Sequence, residues 1–177
     1  MKYLILSAIM LLGSCTGVPD DIKPVESFDV QRYLGTWYEV ARLDHKFERG
    51  LSNVTANYSL REDGGVKVIN QGYLKEDKTW ESTEGKAYFV SEPDIGHLKV
   101  SFFGPFYSSY VVFDLDKENY QYALVTGADK DYFWILARKP NLDPALLDQL
   151  MAKAKALGFA TEKLIMVEHL EVPTSDE

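Results

Sequence analysis

The feature that most constrains this chain is a series of short stretches in which apolar and polar side chains alternate, with turn-forming residues between them. Such alternation is typical of strands with one buried face, and the separators include Glu62-Asp63-Gly64-Gly65 and Glu92-Pro93-Asp94-Ile95-Gly96. The pattern predicts eight strands, at 36–43, 53–60, 66–74, 83–90, 97–103, 109–115, 120–127 and 131–138. Eight strands with mostly short connections favour an all-β fold, an antiparallel up-and-down β-barrel, in which the one long loop is 44–52.

A helix and a short ninth strand follow these eight strands. Asp143 is a suitable N-cap, Pro144 takes the first helical position and Gly158 ends the helix. Apolar side chains at spacings of three and four predict that the helix packs against the outside of the barrel; they are Leu146, Leu150, Met151, Ala154 and Leu157. The ninth strand is predicted at 163–169, and residues 28–34 predict a short helical turn at one end of the barrel.

The N-terminus carries the signs of export and of a lipid anchor. Lys2 and the apolar stretch after it, which is too short to span a bilayer, predict a signal peptide at 1–14. Leu12-Gly13-Ser14-Cys15 resembles the bacterial lipobox, which implies that Cys15 is acylated and becomes the first residue of the mature chain. Thr16 stands where lipoproteins kept at the inner membrane commonly have Asp, so this resemblance implies an outer-membrane location facing the periplasm.

The rest of the chain is predicted to form one domain, at 28–170, followed by an acidic tail at 171–177. Residues 15–27 comprise the lipidated N-terminus and a stretch with two prolines, three acids and little periodicity, which predicts a disordered linker. Cys15 is the only cysteine, so core burial without a disulfide must stabilise the domain. The net charge of −8 argues against nucleic acid as a partner.

The same alternation predicts a cavity inside the barrel. Parity places five residues without bulk on the inner face, Ala56, Gly72, Gly85, Ala87 and Ala123, and these favour space for one small ligand. The predicted ligand-binding residues are Ala56, Tyr58, Asn70, Ala87, Phe89, Val100, Phe102, Tyr110, Val112 and Trp134. Most of them are aliphatic or aromatic, which suits an acyl chain with its polar head at the mouth.

Three points stay open at the level of the residues. Asn70 is equally consistent with a ligand contact and with a core amide bonded to backbone. In the sixth strand Tyr110, Val112 and Asp114 are taken as the inward set, although the alternate set is equally apolar. The apolar segment 101–107 touches a membrane, touches a second subunit or forms part of the pocket wall.

Two separated motifs resemble the signature of the lipocalins. Gly35-Thr36-Trp37-Tyr38-Glu39-Val40-Ala41-Arg42 resembles the Gly-x-Trp block that follows a short helical turn. Toward the C-terminus, at the end of the eighth predicted strand, Arg138 matches the arginine that lies across that tryptophan and closes the barrel floor. A guanidinium over Trp37 is attracted to the ring while its donors reach backbone carbonyls, so Gly35, Trp37 and Arg138 are interpreted as structural residues.

Further segments extend this resemblance over roughly 28–170, among them GKAYF, VSFFGPF and DYFWILAR. They are similar to the bacterial outer-membrane lipocalins, a subfamily related to apolipoprotein D. The resemblance implies a lipoprotein that binds fatty acids or lysophospholipids, stores or moves them for outer-membrane maintenance under stress, and can form a homodimer. The sequence has no Gly-rich phosphate loop, no His-Glu-x-x-His and no Cys-x-x-Cys, so no cofactor and no metal ion are predicted.

Two other classes of function are compatible with a barrel of this kind. A lipocalin-fold enzyme would need a buried acid such as Glu39 as general base, because the chain has no spare cysteine and no metal-binding or nucleotide-binding motif. His45, His97 and His169 are interpreted as solvated side chains. A barrel filled by its large aromatic side chains would instead serve as a scaffold or interaction lipoprotein. We predict a lipid-binding protein without catalytic residues.

Overall fold

The computed structural model describes residues 16–171, so the predicted signal peptide at 1–14, Cys15 and nearly all of the acidic tail lie outside the described residues. Eight strands form the barrel: β1 Gly35–Arg42, β2 Leu51–Leu60, β3 Val66–Leu74, β4 Thr79–Phe89, β5 His97–Ser101, β6 Ser108–Leu115, β7 Tyr122–Thr126 and β8 Phe133–Ala137. Consecutive strands pair antiparallel, and β1 pairs with both β2 and β8. The sheet is therefore closed, and the predicted barrel is confirmed.

Two helices and a ninth strand complete the fold: α1 Val30–Tyr33, α2 Pro144–Ala156 and β9 Ile165–Met166. Asp143 caps α2 by accepting hydrogen bonds from the amides of Ala145 and Leu146. The buried side chains of α2 pack on the outer face of the barrel, as predicted, in a cluster with Phe133 and Ile135 of β8. β9 is shorter than predicted because only the last residues of β1 are free to pair with it, the first four being paired with β2.

A β-bulge in β1 changes which side chains face the interior. The register shifts between Glu39 and Ala41, so the extra residue reverses the alternation from that point. Trp37 belongs to the interior core, whereas Ala41 packs in the outer cluster beneath α2. Arg42, which simple alternation would turn outward, instead hydrogen-bonds Glu39 in a buried ion pair.

A second bulge lies in β6 between Val112 and Asp114. It changes which side chains of that strand face the barrel interior. Val112 is inside as predicted, but Leu115 replaces Asp114 on the inner face. The carboxylate of Asp114 turns toward α2 and lies 2.7 Å from Nζ of Lys153. The inward placement of Asp114 is therefore wrong, because the bulged strand contains one residue more than its partner.

The segment 16–28 differs from the predicted disordered linker, because it packs along the barrel. Ile22 and Val25 are buried. The amide of Val25 donates to the carbonyl of Val112 at 2.8 Å, and the carbonyl of Val25 accepts from the amide of Gly96 at 2.8 Å. The segment is therefore held on the barrel by two buried apolar side chains and by backbone hydrogen bonds. Its prolines and acids, taken alone, predict a disordered linker.

The two ends of the barrel are built differently. The open-end loops, 43–50, 75–78, 102–107 and 127–132, connect strands at the end where the interior is accessible. The closed-end loops, 61–65, 90–96 and 116–121, lie at the other end, where α1 enters β1. The barrel therefore has an open end and a closed end.

Candidate functional site

A cavity of about 730 Å³ extends from the open-end loops into the barrel. Its volume lies within the range of roughly 300–1,000 Å³ that is usual for small-molecule sites. The wall consists mainly of aliphatic and aromatic side chains from β2 to β6 and β8. The barrel therefore has the interior space that a binding protein requires. A barrel filled by its side chains would lack this space.

Most of the predicted ligand-binding residues lie on the wall of this cavity: Ala56, Tyr58, Asn70, Ala87, Val100, Phe102, Tyr110 and Trp134. The other two, Phe89 and Val112, belong to or pack against the interior core without lining the cavity. The Phe89 ring centroid lies 6.2 Å from that of Phe28 near the closed end, and Val112 is completely buried. Strand alternation predicts the inward facing of these two side chains but not their depth along the barrel.

Trp37 and Arg138 close the floor of the barrel. The buried Trp37 ring donates its Nε1 hydrogen to the carbonyl of Tyr33 at 2.8 Å. The Arg138 guanidinium carbon lies 4.0 Å from the Trp37 ring centroid. Its Nη1 and Nη2 donate to the carbonyls of Thr36 at 2.9 Å and Arg32 at 2.7 Å. Arg138 therefore ties α1, β1 and β8 together through one planar group.

Gly35 completes this closure. Its φ of +89° lies in the left-handed region, which a residue with a Cβ adopts only with strain. The turn lets the chain pass from α1 directly into β1, so that Trp37 enters the barrel floor. Gly35, Trp37 and Arg138 do not line the cavity, which is consistent with their interpretation as structural residues.

Three tyrosine hydroxyls meet deep in the cavity. The Tyr110 hydroxyl lies 2.8 Å from that of Tyr33 and 2.9 Å from that of Tyr58. Burial raises the pKa of Tyr33 and Tyr110 well above the usual range, so these hydroxyls stay protonated. Two hydrogen bonds use two of the three hydroxyl hydrogens, so the cluster retains one donor for an acceptor atom of a ligand.

A buried polar group joins loop 43–50 to the cavity wall. Arg42 Nη1 donates to Glu39 Oε1 at 2.6 Å, and Nη2 donates to the carbonyl of Glu48 at 2.7 Å. Trp134 Nε1 donates to Glu48 Oε2 at 3.1 Å. Both carboxyl groups line the cavity, whereas Arg42 lies behind them. This group was missed in the sequence because it combines a bulged strand residue with a loop residue.

This buried group contains one guanidinium, of Arg42, and two carboxyl groups, of Glu39 and Glu48. Burial, and then the neighbouring charge of Glu48, raise the pKa of Glu39 to about 8 despite the ion pair with Arg42. Burial raises the pKa of Glu48 as well. Both shifts favour one proton on the pair of carboxyl groups, which leaves one carboxylate opposite one guanidinium and makes the buried group nearly neutral.

The histidines are not the solvated side chains predicted from the sequence. The His45 ring is buried and stacks between Phe47 and Tyr132, with centroid distances of 5.4 Å and 5.0 Å. Burial lowers its pKa to about 4, so the ring is neutral at physiological pH. His97 is buried too, and His169 Nε2 hydrogen-bonds the carbonyl of Glu39 at 2.8 Å. Loop 43–50 packs against Tyr132 and Trp134 through the ring of His45. The sequence pattern does not predict this packing.

Asn70 supplies a further polar point on the wall. Its Oδ1 is buried and has no hydrogen-bond partner within residues 16–171. Ser101 Oγ is also buried and also lacks a hydrogen-bond partner in this part of the chain. Both side chains line the cavity. Of the two interpretations left open for Asn70, the one that requires a bond from Oδ1 to backbone is not seen for this atom, and the ligand contact stays a prediction.

A sequence profile of the lipocalin-like domain matches residues 28–169. The chain belongs to the lipocalin family. It is 54% identical over 166 residues to the outer membrane lipoprotein Blc of Vibrio cholerae, covering 94% of this chain and 96% of that one. It is 36% identical over 172 residues to bovine apolipoprotein D, covering 93% and 87%. Insecticyanin of Manduca sexta shares the fold, with a TM-score of 0.69 over 88% of each chain at 24% identity.

The relatives named outer membrane lipoprotein confirm the family resemblance and the outer-membrane location predicted for this lipocalin. Within residues 16–171 no helix is long and apolar enough to cross a membrane. In the same part of the chain no group of three or more His, Cys, Asp or Glu side chains is placed to hold a metal ion. The cavity of about 730 Å³ is the feature on which a functional proposal rests.

Proposed function

We propose that this lipocalin binds fatty acids or lysophospholipids in its barrel cavity and holds or moves them at the outer membrane during envelope maintenance under stress. The observation that carries the proposal is the mainly apolar cavity of about 730 Å³, open at one end. Its few polar groups are the hydroxyl cluster around Tyr110, the Asn70 amide and the carboxyl groups of Glu39 and Glu48. This composition suits a ligand that is mostly hydrocarbon with one polar end.

A single acyl chain has enough apolar surface for useful affinity. Burying about fifteen methylene groups contributes roughly 12 kcal/mol at about 0.8 kcal/mol each. Association and ordering cost at least about 4 kcal/mol, which leaves roughly 8 kcal/mol and a dissociation constant near the micromolar range. That affinity permits both capture and release at a membrane.

The proposal includes acylation of Cys15 as the membrane anchor. Its support is the lipobox resemblance at Leu12-Gly13-Ser14-Cys15 and the names of the relatives as outer membrane lipoproteins. One acyl chain gives only marginal membrane binding, whereas the several chains of a bacterial lipoprotein give stable attachment. The lipid-binding domain is therefore retained beside its ligand source.

We propose no catalytic role for the buried acid. Glu39 Oε1 accepts a hydrogen bond of 2.6 Å from Arg42 in a buried ion pair, and burial raises the pKa of Glu39 above its usual value. The Glu39–Arg42–Glu48 group instead holds loop 43–50 on the barrel wall and presents hydrogen-bonding groups to a ligand.

Native mass spectrometry of the chain from Thr16 onward tests this function, with a fatty acid, a lysophospholipid and a diacyl phospholipid offered in turn. Ala56→Phe places a ring in the cavity, and Ser59→Phe places the same ring on the exposed outer face of the same strand. We expect one-to-one adducts with the single-chain lipids, lost in Ala56→Phe and kept in Ser59→Phe. The mass also reports whether the homodimer implied by the family resemblance forms.

Absence of all three adducts from the unmodified chain, with an intact far-ultraviolet circular dichroism spectrum, would contradict lipid binding and favour the scaffold alternative. A fatty acid turned over rather than retained would favour the enzyme alternative, and Glu39→Gln would then abolish the turnover. We expect Glu39→Gln to retain lipid adducts instead.

A further inference from the structure

We propose that the deep part of the barrel cavity is a subsite for a neutral hydroxyl group, so that the protein selects acyl chains that carry a hydroxyl far from their head group. The inference rests on the lipid binding proposed above and names the class of acyl chain. Two neighbouring features carry it, the hydroxyl cluster of Tyr33, Tyr58 and Tyr110 and the amide of Asn70.

The three tyrosine hydroxyls form an open chain of hydrogen bonds. The Tyr110 hydroxyl bonds those of Tyr33 and Tyr58, and no bond between Tyr33 and Tyr58 completes a cycle among the described residues. Each hydroxyl has one hydrogen, so two bonds leave one hydrogen without an acceptor in residues 16–171, whichever way the hydroxyls point. All three side chains line the cavity. The group that can pair with this hydrogen is therefore an acceptor inside the cavity.

The cluster lies deep in the cavity, next to the floor. The Tyr33 ring centroid is 4.6 Å from the ring centroid of Trp37, which closes the floor. Leu51 begins β2 at the open end, and the path along this strand to Tyr58, at about 3.3 Å per residue and a tilt of about 40°, gives a depth of roughly 18 Å. An extended hydrocarbon chain advances about 1.25 Å per carbon, since its C–C bonds are about 1.5 Å long. A head group at the mouth is therefore separated from the cluster by about 12–14 carbons.

The Asn70 amide lies beside this cluster. Across β2 and β3, Tyr58 is opposite Val68 and Ala56 is opposite Asn70, so Asn70 is the diagonal neighbour of Tyr58 on the side of the mouth. Diagonal neighbours are about 7–8 Å apart, which lets one ligand group lie between their side chains. Asn70 Oδ1 has no hydrogen-bond partner within residues 16–171, and rotation of the amide presents either a donor or an acceptor to the cavity. A hydroxyl group both donates and accepts, so it can pair with the tyrosine hydrogen and with this amide.

The charge of the cavity wall favours a neutral group at this depth. Among the described residues, the ionisable side chains of Asp, Glu, Lys, Arg and His type that line the cavity are all acidic: Glu39, Glu48, Glu81 and Asp129. A carboxylate or phosphate at the tyrosine cluster would therefore be buried without a cationic partner, at a large cost in free energy. The anionic head of a lipid stays at the mouth, in contact with water, and the group that reaches the tyrosines is uncharged.

The unpaired hydrogen makes the subsite selective between acyl chains. An unsubstituted chain that reaches the cluster excludes water from it and leaves the donor unpaired, which lowers its affinity. A hydroxyl at the same depth forms the bond, and a site that hydrogen-bonds a ligand hydroxyl discriminates against the analogue that lacks it. In a wholly apolar cavity the order is reversed, because the buried hydroxyl of the ligand is then the unpaired group. The order of the two affinities therefore distinguishes the subsite from an apolar cavity.

Competition between matched fatty acids tests the subsite. The chain from Thr16 onward, which contains all the strands and helices described above, is freed of bound lipid and offered equal amounts of octadecanoic acid and 12-hydroxyoctadecanoic acid. The two adducts differ by the mass of one oxygen atom, so native mass spectrometry reports their ratio directly. A second mixture replaces the 12-hydroxy acid with 2-hydroxyoctadecanoic acid, whose hydroxyl stays beside the head group.

We expect the 12-hydroxy acid to bind about 3–10-fold more tightly than octadecanoic acid, which is the effect of one additional neutral hydrogen bond. The 2-hydroxy acid should bind about as tightly as octadecanoic acid, because its hydroxyl does not reach the tyrosine cluster. This comparison also corrects for any difference that a hydroxyl makes to detection of the adduct.

Removal of all three hydroxyls tests their role. A single replacement is not sufficient, because two hydroxyls that share one bond still have one unpaired hydrogen. The triple variant Tyr33→Phe, Tyr58→Phe and Tyr110→Phe keeps the rings and removes the donor. It should bind octadecanoic acid at least as tightly as the unmodified chain does, and it should lose the preference for the 12-hydroxy acid.

A matched control removes three hydroxyls from side chains that do not line the cavity, with Tyr73→Phe, Tyr88→Phe and Tyr122→Phe. It should keep the preference for the 12-hydroxy acid. Asn70→Leu, which replaces the amide by an apolar side chain of similar size, should reduce the preference and provides a test that does not depend on the folding of the triple variant. Far-ultraviolet circular dichroism verifies the fold of each variant.

The result is separable from the outcome for lipid binding. If the unmodified chain binds the 12-hydroxy acid no more tightly than octadecanoic acid, the subsite is overturned while lipid binding stands. A preference that persists in the folded triple variant, or one that is equally large for the 2-hydroxy acid, overturns the subsite as well. If no adduct forms with any of the three acids, both the subsite and the proposed lipid-binding function are contradicted.

Discussion

Replacing Arg138 with alanine separates the structural role of the barrel floor from ligand binding. Its guanidinium lies 4.0 Å from the Trp37 ring centroid and hydrogen-bonds the carbonyls of Thr36 and Arg32, with a third, longer bond of 3.3 Å to the carbonyl of Tyr120. Arg138 does not line the cavity. Arg138→Ala should therefore lower stability and leave lipid affinity nearly unchanged.

The magnitude follows from these contacts. Hydrogen bonds to a charged group contribute about 1.5–3 kcal/mol each when buried, and the cation–π contact contributes about 0.5–2 kcal/mol. Because the Arg32 and Thr36 carbonyls lie where water can replace the lost donor, we count only these two shorter hydrogen bonds, at the low end of their range, and expect a loss of about 3 kcal/mol. For a domain of this size, that loss lowers Tm by about 6–12 °C.

Equilibrium urea unfolding and calorimetry measure the change, and lipid affinity is measured well below the lowered Tm. Arg138→Lys is the matched control, because it keeps the charge but cannot reach several carbonyls from one planar group, so its loss should be intermediate. A Tm decrease below about 2 °C in Arg138→Ala, or loss of lipid binding at unchanged Tm, would refute the assignment.

Three further predictions concern the cavity and the outer core. The folded-state pKa of Glu39, about 8, lies above its usual value, so the folded protein holds a proton that the unfolded chain has lost, and stability should fall as pH rises. Between pH 7 and 8, where His45 is mostly neutral in the folded and in the unfolded chain, the slope should reach at most about 1.4 kcal/mol per pH unit and should flatten in Glu39→Gln. An equal slope in both proteins contradicts the buried proton. Tyr110→Phe removes the common partner of two buried hydroxyls and should lower the unfolding free energy by about 1–3 kcal/mol in urea titrations. Leu150→Ala should cost about 3 kcal/mol in the same assay, because Leu150 lies on the buried face of α2. Gln149→Ala, at the exposed neighbouring position, should change the unfolding free energy by no more than about 0.5 kcal/mol.

Local alternation predicts the facing of regular strands well. In β2 and β3 the side chains of Ala56, Tyr58, Val68 and Asn70 line the cavity as predicted. The period of two is fixed by the backbone of each strand, so no knowledge of the partner strands is needed. The capping of α2 by Asp143 is equally local and was predicted for the same reason.

Long-range structure is where the sequence was insufficient. A bulge depends on how two strands pair, so the placements of Arg42 and Asp114 were not accessible from either strand alone. The stacking of His45 brings together loop 43–50 and β8, and the packing of Ile22 depends on an apolar surface formed by distant parts of the chain. In each case the side chain packs on a surface that forms only when the barrel closes. The local sequence therefore does not predict the packing.

The ordered N-terminal segment changes what a lipid anchor contributes to this lipocalin. An anchor on a free linker raises the local concentration of the domain but leaves every orientation open, so docking at the membrane would still require loss of rotational freedom. Here Val25 and Gly17 bind the segment to the barrel during folding, so much of that ordering is completed before the membrane is reached. The start of the described chain is therefore held at one place on the barrel rather than at the end of a free linker.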